Sequence, residues 1–159
     1  MSSLISDLPA WVLAAPKAKR NFRRAVHILL HAVATTPVLS RKLHMKGGIL
    51  MALRYQSERF TKDVDFSTPE PYTRSAEDEF RRALEHALVA APETLGYDLV
   101  CRIQKFDPQP GRDKTYVTLQ LTIGYAQVGT PSYKRLLAGE CTDIVGLDYS
   151  YSESIPEIE

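Results

Sequence analysis

Hydrophobic and polar positions along the chain change period several times, and each change marks an element. From Lys17 to about Ala34, Phe22, Ala25, Val26, Leu29, Leu30 and Val33 recur at helical spacing, which predicts an amphipathic helix docked on a sheet. Arg20, Arg23, Arg24, His27 and His31 fall off or beside that stripe. A short helix over Leu4 to Ala15, beginning after Asp7 or Pro9, precedes it, with Trp11 as a packing anchor. Thr35-Thr36-Pro37 ends the long helix, because the residue before proline avoids helical backbone angles. Leu43 and Met45 then alternate with Lys42, His44 and Lys46, the pattern of a short strand.

A second helix is expected from Ser75 to about Ala90, after the break at Pro69 to Pro71, with a capping pair Ser75 and Asp78 and a buried stripe of Phe80, Leu84, Ala87, Leu88 and Ala91. Two β segments follow, Tyr97 to Phe106 and Thr115 to Ala126, joined by Asp107-Pro108-Gln109-Pro110-Gly111. In the second, Tyr116, Thr118, Gln120 and Thr122 alternate with Val117, Leu119, Leu121 and Ile123, which predicts an antiparallel hairpin with one wetter face. Tyr133 to Ala138 reads as a helical turn or an ordered loop, and a last strand runs from about Cys141 to Tyr151. The sum is an α+β (α/β) fold: a mixed, mostly antiparallel sheet of four or five strands with helices mainly on one face.

The stretch with chemistry is Lys46 to Ser67. Gly47 and Gly48 permit close backbone approach and open an apolar helical run over residues 49 to 55, whose N-terminal amides attract anions. After the polar connection Gln56 to Lys62 comes a strand, Asp63 to Ser67, in which Asp63 and Asp65 share one face and Val64 and Phe66 the other. Paired carboxylates suit Mg2+, which keeps its other positions for water and phosphate oxygens.

Lys46-Gly47-Gly48, then Ala52-Leu53, then Arg59-Phe60-Thr61-Lys62-Asp63-Val64-Asp65-Phe66, resembles the AbiEii/AbiGii nucleotidyltransferase toxins of type IV toxin–antitoxin systems, within the DNA polymerase beta-like superfamily. The resemblance implies metal-dependent transfer of an NMP from an NTP to an acceptor hydroxyl, with two Mg2+ ions as cofactor and RNA such as tRNA as acceptor. It also implies a cognate antitoxin protein as partner. Asp63 and Asp65 become the metal-binding catalytic pair, and Lys46, Gly47, Gly48, Arg59 and Thr61 the nucleotide-binding set. Such sites take a third carboxylate from a neighbouring strand. Asp148 shares a face with Gly146 and Ser150, whereas Asp143 shares one with Val145, Leu147 and Tyr149, the expected core side, so Asp148 is the choice. Two departures stand out. Ile49 follows the second glycine where the family has Thr or Ser, and the family's C-terminal helical region lies beyond a core domain spanning residues 1–159.

Composition adds bounds. A chain of 159 residues at 44% hydrophobic suits one core, and the absence of an 18-residue apolar run or a leader pattern predicts a cytoplasmic protein without membrane spans. Cys101 and Cys141 lack zinc spacing and read as buried small hydrophobes, and His27 and His31 lack a third ligand. Net charge is only +1, but Lys17 to Lys46 holds eight Lys or Arg and no acid, either a solvated helix face or a track for a nucleic-acid backbone. The competing functions are a non-catalytic binding module on the same fold and a small-molecule (antibiotic) nucleotidyltransferase.

Overall fold

The computed structural model describes residues 8–40, 44–46, 63–110 and 117–152. In chain order the elements are α1 (Leu8–Leu13), α2 (Lys17–Thr35), α3 (Pro37–Ser40), β1 (His44–Lys46), β2 (Asp63–Pro71), α4 (Arg74–Leu95), β3 (Val100–Pro110), β4 (Val117–Ala126), α5 (Pro131–Leu137) and β5 (Ile144–Ser152). The expected helix at residues 49–55 lies outside the described residues.

The five strands form one mixed sheet in the order β1-β2-β5-β4-β3. Only β2 and β5 pair in parallel; β1–β2, β5–β4 and β4–β3 are antiparallel. The last strand therefore inserts at the centre. Alternation decides which face is dry. Val64 and Phe66 on β2, Val145, Leu147 and Tyr149 on β5, and Leu119, Leu121 and Ile123 on β4 are all buried against the helical layer. Their neighbours of opposite parity, Asp65, Ser67, Asp148, Ser150, Thr118 and Thr122, are half-buried, and Gln120 is exposed.

Helices α2 and α4 supply the cover. The expected α2 stripe is buried, as are Ile28 and Ala32, because α1 packs on one flank and α4 on another. Arg23 and His27, read from the sequence as lying off the stripe, are buried too. Arg23 Nη1 donates to the Trp11 carbonyl at 2.7 Å, and its guanidinium lies 4.9 Å from the Trp11 ring centroid. His27 Nδ1 shares a 2.7 Å hydrogen bond with the Tyr97 hydroxyl. On α4, Phe80 stacks on Tyr149 with centroids 4.2 Å apart and planes 8° from parallel, fixing β5 from behind.

Three boundaries differ from the sequence pattern. The α4 cap is Thr73 rather than Ser75: its Oγ1 accepts from the Ala76 amide at 2.9 Å, while Glu77 is held by the Tyr72 hydroxyl at 2.6 Å. The helix runs through Pro92 to Leu95 before Gly96 turns it with φ 76°, since Pro92 is buried on the packed face and forfeits a single backbone bond near the end. Strand β2 continues through Pro69 to Pro71, across a register irregularity between Ser67 and Pro71 where a ladder amide is dispensable.

The hairpin β3–β4 carries a further irregularity between Ile103 and Lys105. Gln104 falls there, donating from Nε2 to the Cys141 carbonyl at 2.9 Å and accepting from the Cys141 amide at 3.1 Å. Helix α5, anticipated as a turn or loop, begins at the Thr130 cap and sets Leu136 over Gly124. Any Cβ at Gly124 would lie 2.7 Å from Leu136 Cδ1 and 2.8 Å from Gln104 Nε2. A small second core of Ala126, Leu136 and Cys141 thus closes one end of the wetter face.

Candidate active site

Strand register gathers the carboxylates. Asp65 on β2 is the direct partner of Asp148 on β5, and neighbouring strands lie about 4.8 Å apart. Both side chains are half-buried on the wetter face, and Asp148 is further engaged by a partner within the chain. Asp63 heads β2, two residues before Asp65 and opposite Gly146, which contributes no Cβ. Lys46 closes β1 opposite Asp65. One cross-strand row therefore reads Lys46, Asp65, Asp148, Gln120, Asp107.

The parity that sets Asp148 here follows from the core. Val145, Leu147 and Tyr149 must face the helices, so Gly146, Asp148 and Ser150 face away. Asp143 precedes β5 and is exposed; its carbonyl accepts from the Tyr125 amide at 3.0 Å. Gly47, Gly48, Arg59 and Thr61 lie outside the described residues, so nothing here brings them to or separates them from this row.

The donor set fits a hard divalent cation. Two carboxylates directly opposed on adjacent strands repel unless a cation lies between or beside them, and oxygen-only ligands suit Mg2+. Among the described residues no three His, Cys, Asp or Glu side chains group as a metal cluster, and Asp65 and Asp148 form a pair. The histidines of α2 serve other ends. His27 is committed to Tyr97, and burial, followed by the charge of His31, pushes it down to about 4.

Three arginines of the basic segment are engaged within the fold, whereas Lys17 and Lys19 are exposed. Arg20 donates to the Ala15 carbonyl, Arg23 to Trp11, and Arg24 to Asn21 Oδ1 while lying 5.8 Å from the Tyr97 ring centroid. These guanidiniums tie α2 to α1, to the turn after it and to Tyr97 ahead of β3, so these three arginines are committed inside the fold. Sequence periodicity missed this because arginine stems bury readily when the head finds a carbonyl or a ring. The cysteines behave as anticipated: Cys101 and Cys141 are both free and buried, and burial pushes Cys101 up to about 12.

A groove of about 1040 Å³ opens elsewhere, between α2 and α4, lined by His31, Arg74, Arg82, His86 and small alanines and by no residue of the sheet. Its walls mix acids and bases, Asp78 and Glu79 beside Arg74 and Arg82, without a convergent set. No helix among the described residues is long and apolar enough to cross a membrane.

A sequence model of the nucleotidyl transferase AbiEii toxin family, type IV TA system, matches residues 28–159. No curated protein matches the chain.

Proposed function

The chain belongs to the AbiEii nucleotidyltransferase toxins of type IV toxin–antitoxin systems, and from that premise we propose that it transfers an NMP from an NTP to a hydroxyl of RNA, with tRNA the favoured acceptor, in the cytoplasm. As a nucleotidyltransferase it uses an NTP, and as the toxin of such a system it has a cognate antitoxin. The observation that carries the site is the register of Asp65 with Asp148, two strands that meet in parallel at the centre of the sheet.

In this reading Asp63, Asp65 and Asp148 hold two Mg2+ ions. When bound, Mg2+ neutralises triphosphate charge and makes the acceptor hydroxyl more acidic. Asp63 and Asp65 orient the triphosphate; Asp148 faces the acceptor and takes its proton. The acceptor oxygen bonds to the α-phosphorus, the bond from that phosphorus to the bridging oxygen breaks, and pyrophosphate leaves with the electron pair. Lys46, Gly47, Gly48, Arg59 and Thr61 form the nucleotide-binding set, with backbone amides taking the share that Ile49 cannot give. The fold beneath supplies rigidity, since Asp65 and Asp148 sit on strands whose opposite face is the packed core.

Isothermal calorimetry of each NTP with Mg2+, beside the Asp63→Asn, Asp65→Asn double variant, tests the reading. Metal-dependent binding that the variant loses is expected. Equal binding by a folded variant, or none by the folded wild type, overturns it and favours a docking module.

A further inference from the structure

We propose that Gln120 positions the acceptor beside Asp148, making the β4–β3 half of the wetter face the acceptor subsite. This rests on the nucleotidyl-transfer reading and adds to it a side of approach and a recognition chemistry.

The side follows from the row and from in-line displacement. In the proposed roles Asp63 and Asp65 on β2 take the triphosphate, and Asp148 on the adjacent strand β5 takes the acceptor. Attacking and leaving oxygens lie on opposite sides of the phosphorus, so the acceptor comes from the β4 side, past Asp148. The next position across the sheet is Gln120.

Gln120 is placed and free for this. It is exposed, and among the described residues its amide makes no hydrogen bond. Its neighbour Thr118 is bound to Ser150 at 3.0 Å, and on β3 Asp107 accepts from Gln109 at 2.7 Å, so those groups are committed. The end of this face toward Gly124 is closed by Leu136 of α5, which sends an acceptor across β4 toward β3. A carboxamide offers both donor and acceptor, matching a ribose hydroxyl or a base edge. On β3 the exposed Arg102, Lys105 and Asp107 pair with Gly124, Thr122 and Gln120, so charges of both signs border this half and Gln120 adds a neutral donor and acceptor among them.

The test measures label transfer from α-labelled NTPs to unfractionated tRNA by the full chain, alongside calorimetric NTP binding. Gln120→Ala is expected to raise KM for tRNA about tenfold, the worth of one or two hydrogen bonds, with kcat, melting temperature and Mg2+-dependent NTP affinity unchanged; Gln120→Asn recovers part of the loss. An unchanged KM for tRNA, or weakened NTP binding, overturns the inference and leaves nucleotidyl transfer standing. A wild type that binds Mg2+ and NTP yet labels no tRNA overturns the subsite and the acceptor class together. A wild type that binds no NTP overturns the parent reading.

Discussion

Asp65 and Asp148 stand directly opposite one another on β2 and β5, the one parallel pair among the described residues, although two described helices and two described strands separate them in sequence. Juxtaposed like charges on adjacent strands cost stability until a cation joins them. Mg2+ is therefore expected to raise the melting temperature of the wild type, and to do so less for Asp65→Asn and least for Asp65→Asn, Asp148→Asn. Thermal melts with and without Mg2+ check this, and nucleotidyl transfer by Asp65→Asn or by Asp148→Asn alone should fall by at least about a hundredfold.

The His27–Tyr97 bond predicts an acid-sensitive fold. His27 is held at about 4 in the native state, below the ordinary 6.5 it regains on unfolding. The unfolded chain thus binds a proton that the folded chain refuses. Stability contributed by the neutral imidazole is complete above pH 6.5 and declines as pH falls from 6.5 toward 4, by up to roughly 3 kcal/mol. Urea titrations at pH 7 and pH 5 should show a smaller loss for His27→Gln than for the wild type.

Arg23 tests what the basic segment is for. Its guanidinium is buried between the Trp11 carbonyl and the Trp11 ring. Arg23→Ala should lower the urea midpoint, costing about 2–3 kcal/mol through the orphaned carbonyl and lost packing. Fluorescence anisotropy with an RNA oligonucleotide should show the same affinity for this variant while it is folded.

Gly124 is required by closeness rather than by backbone angle. Gly124→Ala forces apart Leu136, Gln104 and β4, at a cost of about 1–3 kcal/mol. Circular dichroism melts should place it below the wild type, with Gln104→Ala less affected because that change opens space and breaks only the Cys141 contacts.

Much of this architecture was legible because one face of the sheet is dry. Alternation in Thr118, Gln120 and Thr122 against Leu119, Leu121 and Ile123 marked the wetter face, and the same parity separated Asp148 from Asp143. What periodicity could not show was the pairing order, since nothing local in β5 says that it lies between β2 and β4. Nor could it show partners that neutralise polarity: Arg23 and His27 look like surface residues until Trp11 and Tyr97 are placed. Prolines misled for a related reason. Pro69 and Pro92 break regular bonding, yet each sits where one missing amide is tolerated, at a strand irregularity and in the final turn of a helix.

Central insertion of β5 has a temporal consequence. A nascent chain that has left the ribosome through β4 carries Asp65 without its partner, and β2 and β4 cannot be bridged until Ile144–Ser152 arrives between them. Contacts this distant along the chain form late. If Asp148 completes the site as proposed, a growing polypeptide of this kind is expected to gain activity only after synthesis has passed Asp148.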